Sequence, residues 1–241
     1  MKKLPTLIFL FSLICSTVFA QQSNSLVALK FAPAGLAAGK ITLGGEYNYK
    51  HRNSITLLVG LPFDKTQKIS FNGRNSDVAS KAFSIMAGYR HYLGRKTMNG
   101  FYLEPYLKYL KHEVNGPLNT DLQGQQVVFD TQTSYEGMGI GAQLGFQVLL
   151  AKFIVFDLFL IGPEANSAKF KSLSTDNTNN LRWDYADAQE AEQQIREVLK
   201  DIPMVGSKIE VKVNTEKKNV ATSFSGFAPG FRIGASFGIR F

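Results

Sequence analysis

The C-terminal residues 231–241 alternate strictly between two kinds of side chain. Apolar residues occupy every second position from Phe231 to Phe241, and glycine, serine or arginine stand between them. Successive side chains of a β-strand point to opposite faces, so this pattern predicts a strand with one apolar face and one small or charged face. Residues 137–149 repeat the pattern, with apolar side chains opposite glycine and glutamine.

Strand signals of this kind recur along the chain, in residues 26–34, 40–49, 54–63, 82–93, 101–111, 137–149, 152–161 and 231–241. Short turns at 50–53, 94–100 and 150–151 alternate with longer connections at 64–81, 112–133 and 162–226. Only the first link, 35–39, is short where the pattern requires a long one. Outer-membrane barrels have this layout, with short periplasmic turns and long outer loops. We therefore predict an all-β fold, an eight-stranded antiparallel up-and-down transmembrane β-barrel with both termini on the periplasmic side.

Residues 1–20 predict a secretory signal peptide. Two lysines precede a short apolar stretch, and the small residues Val18 and Ala20 flank Phe19 before the polar Gln21. The apolar stretch is well short of the roughly 20 residues that span a bilayer as a helix. We expect cleavage near Ala20, which leaves residues 21–241 as the barrel and removes Cys15, the one cysteine.

Two other folds compete with this prediction. Residues 146–162 could form a transmembrane helix, but they contain Lys152 and Asp157, which are costly near a bilayer centre. A soluble barrel of the lipocalin kind also alternates, but its outer face would be the one rich in glycine and glutamine. Aromatic residues at the strand ends favour two membrane-interface girdles: Tyr47, Tyr49, Tyr89, Phe101 and Phe241 near the turns, and Phe63, Phe83, Tyr109, Tyr135 and Phe227 near the loops.

The formal net charge of +8 raises the question of a nucleic-acid partner. The basic residues are scattered among apolar ones and form no stripe with stacking aromatics, so the sequence disfavours nucleic-acid binding. Export would disfavour it further.

Three short segments resemble known outer-membrane proteins. FRIGASFGIRF, residues 231–241, resembles the C-terminal signal that the barrel assembly machinery recognises, with Phe237, Ile239 and Phe241 as its apolar positions. GYRHYLG, residues 88–94, and GFYLEPYLKY, residues 100–109, are similar to small OmpA-like barrels of unknown function in Bacteroidetes-type bacteria. The resemblance implies the outer membrane of a Gram-negative bacterium, with its lipid and the assembly machinery as partners. It implies no activity.

In such a barrel the polar faces of the strands fill the lumen. The charged candidates for a lumen network are Lys30, Glu46, Arg90, Glu104, Lys108, Asp157, Arg232 and Arg240. Eight strands leave an interior just wide enough for side chains to fill, so these charges must pair with one another or meet water. A salt-bridge network that holds the barrel together and a basic site for anions are both compatible with the sequence.

Catalytic and metal-binding patterns are weak. Outer-membrane acyl hydrolases and acyltransferases combine a histidine with a serine and a carboxylate. Of His51, His91 and His112, only His112 is expected near the outer end of a strand, and no serine follows it until Ser134. We find no metal-ligand spacing, and DNTNN at 176–180 lacks the pattern of a calcium loop. The sequence therefore predicts no enzyme, no metal and no cofactor.

The last loop, residues 164–225, is predicted to carry a short helix and a hairpin outside the membrane. Asp187, with Glu190 three positions later, can cap a helix that runs to about Lys200 and ends at Pro203. This helix would either contact a surface partner or cover the barrel mouth. We expect a non-enzymatic barrel with a structural or interaction role; a narrow channel or small-ligand carrier using the basic lumen is the alternative, and a lipid-modifying enzyme is less favoured.

Overall fold

The computed structural model describes residues 26–71, 73–122, 125–178, 183, 185–200 and 208–241. Within these residues the strands are β1 Leu26–Ala32, β2 Lys40–Lys50, β3 Asn53–Pro62, β4 Lys65–Phe71, β5 Arg74–Tyr92, β6 Gly100–Leu122, β7 Gln125–Leu150, β8 Ile154–Asp176, β9 Glu210–Asn214 and β10 Asn219–Arg240. A 3₁₀ helix, Pro33–Ala38, joins β1 to β2, and helix α1 spans Tyr185–Lys200. The predicted signal peptide and Pro203 lie outside the described residues.

Eight of the strands form a closed antiparallel ring, in the order β1-β2-β3-β5-β6-β7-β8-β10. β10 pairs back to β1, so that Phe31 lies opposite Phe237 and Ala28 opposite Arg240. β4 pairs with β5, and β9 pairs with β10, outside the ring. This confirms the predicted eight-stranded antiparallel barrel. Among the described residues no helix is both long enough and apolar enough to cross a membrane.

Alternation along each strand separates apolar from charged residues. Glu104 is fully buried inside the ring, whereas Ile233 on the outer surface is 64% exposed. Large apolar side chains cover the whole outer circumference, and we call this surface the apolar belt. Each ring strand contributes to it, as shown by Leu29, Leu43, Leu57, Ile85, Leu107, Ile140, Leu160 and Ile233.

Strands β5–β8 and β10 continue far beyond the predicted ends. The predicted loops at 64–81 and 112–133 are largely the β4–β5 and β6–β7 hairpins, and much of the predicted loop at 164–225 belongs to β8 and β10. The sequence signal fades there because the outward residues of β6 change from apolar to Lys111, Glu113 and Asn115. These extensions, with β4 and β9 at their edges, form what we call the upper sheet.

Helix α1 packs on the upper sheet. Ala191 of the helix joins a buried cluster with Val127 and Phe129 of β7, Val220 of β10 and Trp183. The ring of Trp183 meets that of Phe129 edge-on at 5.7 Å, which makes it a packing anchor. The helix begins at Tyr185, so the predicted capping residue Asp187 lies inside its first turn. The predicted hairpin is present as β9 paired with β10.

Closure of the ring predicts a specific sensitivity at Gly238. A Cβ atom at this position would overlap the carbonyl oxygen of Leu29 in the adjacent strand, whereas a Cβ at Gly45 would meet no atom within 4 Å. We expect Gly238→Val to prevent pairing of β1 with β10, and Gly45→Val to be tolerated. Gel migration with and without boiling measures this, because closed barrels resist detergent. A Gly238→Val protein that migrates like the wild type in both states would contradict the proposed closure.

Candidate functional site

Five of the predicted lumen residues meet in one place. Lys30 of β1, Glu46 of β2, Arg90 of β5, Glu104 of β6 and Asp157 of β8 all point inward and are buried. They come from five strands because closure brings the same level of each strand to the barrel axis. We call this group the ion cluster.

The two cations of the ion cluster bridge its three carboxylates. The ammonium of Lys30 lies 2.5 Å from an oxygen of Glu46 and 2.9 Å from Asp157. The guanidinium of Arg90 lies 2.6 Å from Glu104, 2.9 Å from Asp157 and 3.3 Å from Glu46. Arg90 therefore contacts every carboxylate of the cluster.

Neutral donors compensate for the extra carboxylate. The hydroxyl of Tyr92 donates to Glu46 at 2.7 Å, and the hydroxyl of Tyr102 donates to Asp157 at 2.6 Å. The guanidinium of Arg90 also stacks on the Tyr102 ring, 3.7 Å from its centre. Charge-assisted hydrogen bonds of this kind are roughly twice as strong as neutral ones, so they offset much of the desolvation cost of the carboxylates.

Glutamine and threonine side chains complete the network. Gln143 donates to Glu104 at 3.0 Å, and Thr56 donates to the other oxygen of the same carboxylate. The Gln147 carbonyl accepts hydrogen bonds from both cations of the cluster, while its amide group donates to the backbone of Met98. A small cavity of about 10 Å³ beside the cluster has room for one water at most. The ion cluster thus closes the lumen.

Three predicted lumen residues lie outside the ion cluster. Arg240 points to the turn end of the barrel, where its guanidinium donates to the carbonyl of Lys152 at 2.7 Å. Lys108 and Arg232 line a separate cavity nearer the upper sheet. Gln143 and Gln147 were not predicted as partners of these charges, although both occupy polar-face positions of β7.

The cavity above the ion cluster has a volume of about 280 Å³ and is rich in positive charge. Its charged lining residues are Lys40, Lys108, Arg232 and Glu164, which give a net charge of +2 at neutral pH. Lys108 pairs with Glu164, which also accepts a hydrogen bond from the Tyr106 hydroxyl at 2.9 Å. We call this space the cationic cavity.

Glu164 reaches the cationic cavity because of an irregularity in β8. The register of β8 against both neighbours shifts near Leu160, which inserts one extra residue into the strand. Asp157 and Phe159 point inward before the shift, and Glu164 points inward after it. Bulges re-aim side chains in this way. Strict alternation along the sequence does not reveal this bulge, and Glu164 was predicted to lie in the outer loop.

His112 forms an unexpected pair with Ser80. Its Nε2 atom lies 2.8 Å from the hydroxyl of Ser80. Ser80 belongs to β5, lies 32 positions earlier in the chain, and was not predicted as a partner of His112. Burial, and secondarily the charge of Lys40, lower the pKa of His112 and keep the imidazole neutral at pH 7. Among the described residues no carboxylate hydrogen-bonds to His112, so the pair lacks the third member of a catalytic triad.

The other two histidines lie at the turn end. His91 faces outward and contacts Asn53, and His51 contacts Thr97 in the neighbouring turn. Within the described part of the chain no group of three His, Cys, Asp or Glu residues is placed to hold a metal ion.

The predicted assembly-signal residues lie on the outer surface. Phe237, Ile239 and Phe241 are each half exposed, and Phe237 packs edge-on against Phe31 at 5.4 Å between ring centres. One predicted girdle residue differs: Tyr135 points inward and packs beside a buried cluster that contains Phe224.

Comparison with known proteins adds little to this description. No protein-family model matches the sequence, and no curated protein matches it. The crystal structure of Acinetobacter baumannii CarO is similar at a TM-score of 0.37 and 10% sequence identity, over 90% of this chain and 96% of that one. The class of the fold, a closed eight-stranded antiparallel barrel with an apolar outside and a charged inside, rests on the strand order and the burial pattern.

The ion cluster predicts a large stability cost for Arg90→Leu. Removal of the one residue that contacts all three carboxylates leaves buried negative charge uncompensated, which costs about 3–5 kcal/mol. Arg74→Leu is the matched control, because Arg74 pairs with Asp121 at the surface, where solvent screening leaves such pairs with little effect on stability. Urea unfolding of the refolded protein in lipid vesicles measures both. Equal losses in the two variants would contradict the role of the cluster.

Proposed function

We propose that the chain is a non-enzymatic outer-membrane β-barrel with a closed lumen and a structural or interaction role at the cell surface. The observation that carries the proposal is the inside-out distribution of polarity: charges are buried within the ring and the apolar belt is exposed. Soluble monomers rarely expose apolar patches above a few hundred Å². Lipid is the solvent that suits such a belt.

Charged residues at the two borders of the apolar belt support an outer-membrane location. Above it, Lys81 and Lys111 form outward ion pairs with Glu113 at 3.1 and 2.7 Å. Below it, basic residues occupy the turns, among them Arg52 and Lys152. In the proposed orientation these turns face the periplasm, and the upper sheet with helix α1 projects outside the cell.

Further parts of the proposal rest on sequence alone. A signal peptide at 1–20 would direct export, and Phe237, Ile239 and Phe241 would present the assembly signal to the barrel assembly machinery. Membership of the OmpA-like barrels of Bacteroidetes-type bacteria rests on residues 88–94 and 100–109. The upper sheet and α1 would provide the contact surface for a partner.

The ion cluster favours a closed barrel over a channel. An ion that crosses the lumen would have to displace hydrogen-bonded charges from a site with room for one water at most. The cationic cavity favours a second candidate function, the binding of a small ligand above the closure. A lipid-modifying enzyme is less favoured because the Ser80–His112 pair is inside the barrel and has no carboxylate partner among the described residues.

Conductance in planar lipid bilayers tests the closed lumen. We expect no steady current from the wild type. The double variant Arg90→Ala/Glu104→Ala removes one positive and one negative side chain, opens space in the ion cluster and should give measurable conductance. The single variant Arg74→Ala is the control and should remain silent. Large, reproducible conductance of the wild type would contradict the proposal.

A further inference from the structure

We propose that the cationic cavity binds the anionic head of a single-chain amphiphile, with its hydrocarbon tail leaving the barrel sideways between the 3₁₀ helix and β10. The head is a carboxylate or a phosphate, as in a long-chain fatty acid or an alkyl phosphate. The inference rests on the proposed membrane location, since the tail would end in lipid, and it extends the function to a defined ligand class.

The cavity holds positive charge that the protein does not neutralise. Lys108 pairs with Glu164, but among the described residues no carboxylate oxygen lies within 4.0 Å of Lys40 or Arg232. Lys40 donates to the hydroxyl of Ser84 at 2.9 Å. The guanidinium of Arg232 lies 4.4 Å from the centre of the Phe159 ring and meets the sulfur of Met86. Two cations without a counter-ion in one half-buried space form a site for an anion.

A buried hydroxyl without a partner points to the same site. Thr42 lines the cationic cavity, is 8% exposed, and its Oγ1 atom has no hydrogen-bond partner. A buried polar group left unsatisfied costs about 1–3 kcal/mol, and such groups are rare in folded proteins. An anionic oxygen in the cavity would accept a hydrogen bond from this hydroxyl.

The wall beside the cavity is interrupted. Backbone pairing between β1 and β10 ends at Phe31 and Phe237. The chain then enters the 3₁₀ helix at Pro33, which has no N–H group to continue a strand ladder. Among the described residues no backbone hydrogen bond joins the 3₁₀ helix to β10. The segment of β10 around Ile233 therefore has no strand partner on this side.

The cavity lies beside this interruption. Its lining includes the inward Arg232, the outward belt residues Phe231 and Ile233, and Ala34 and Ala38 of the 3₁₀ helix. The cavity therefore borders the backbone of β10 at the level where β10 has no strand partner on this side. The side chains of these alanines are small, so the proposed path of the hydrocarbon tail passes between them and β10.

The chemistry of the lining defines the ligand. The ion cluster closes the lumen below, so the ligand does not continue toward the turn end of the barrel. Ligand pockets usually measure about 300–1,000 Å³, so a volume of about 280 Å³ suits a head group with the first part of one tail. Apolar side chains such as Leu58, Leu110 and Phe159 surround the cations. This combination selects an amphiphile over a sugar or a free inorganic anion.

Native mass spectrometry of the full, folded protein released from nonionic detergent tests the proposal with palmitate as the probe. We expect one bound palmitate per barrel, displaced by hexadecyl phosphate and not by hexadecanol. Arg232→Gln and Lys40→Gln should each weaken binding at least about tenfold, the scale of one hydrogen bond to a charged group. Arg74→Gln, which removes a surface arginine, should bind as the wild type does.

A comparison of palmitate with the shorter octanoate tests the lateral exit. Ala34→Trp fills the gap and should weaken palmitate binding more than binding of octanoate, whose shorter chain extends less far from the head. Gel migration with and without boiling establishes that each variant is folded. If hexadecanol displaced palmitate from the wild-type protein as well as hexadecyl phosphate does, that result alone would overturn the proposal. Undiminished binding in both folded cation variants would also overturn it. Neither result depends on conductance. The planar-bilayer experiment therefore tests the closed lumen separately from ligand binding.

Discussion

The structure depends on one constraint: a closed ring of strands gives every residue either an inner or an outer position, and beside the ion cluster the inner space has room for one water at most. Charges placed at that level must therefore satisfy one another. The ion cluster meets this requirement through Arg90, which contacts all three carboxylates, and through tyrosine and glutamine side chains that provide neutral hydrogen bonds. The same ring places the apolar belt outside, where only an apolar solvent suits it.

The two levels of the lumen differ in how their charges are balanced. The ion cluster has three carboxylates and two cations, and every one of its charged groups is hydrogen-bonded, although the Oε1 atom of Gln143 beside it has no partner. The cationic cavity has three cations and one carboxylate, and Thr42 is left without a partner. We therefore interpret the ion cluster as a structural closure and the cationic cavity as a binding site. The interruption beyond the end of the β1–β10 pairing lies beside the second level and provides its proposed route to the membrane.

Alternation along the sequence was sufficient to predict the eight-stranded ring, the inner position of the ion cluster and the outer position of Phe237. It was not sufficient beyond the belt, because outward residues such as Lys111 and Glu113 lose the apolar signal while the strand continues. It also failed at Leu160, where one extra residue reverses the alternation and turns Glu164 inward. The Ser80–His112 contact joins the paired strands β5 and β6 and depends on a register that no local pattern encodes.

Contact between the apolar belt and hydrocarbon is the central claim, and spin labels measure it most directly. Labels at Leu144 in the belt and at Lys171 on the outward face of the upper sheet report collisions with oxygen, which dissolves in lipid, and with a water-soluble nickel chelate. In vesicles, the label at Leu144 should collide mainly with oxygen and the label at Lys171 mainly with nickel. Frequent nickel collisions at Leu144 would contradict the account.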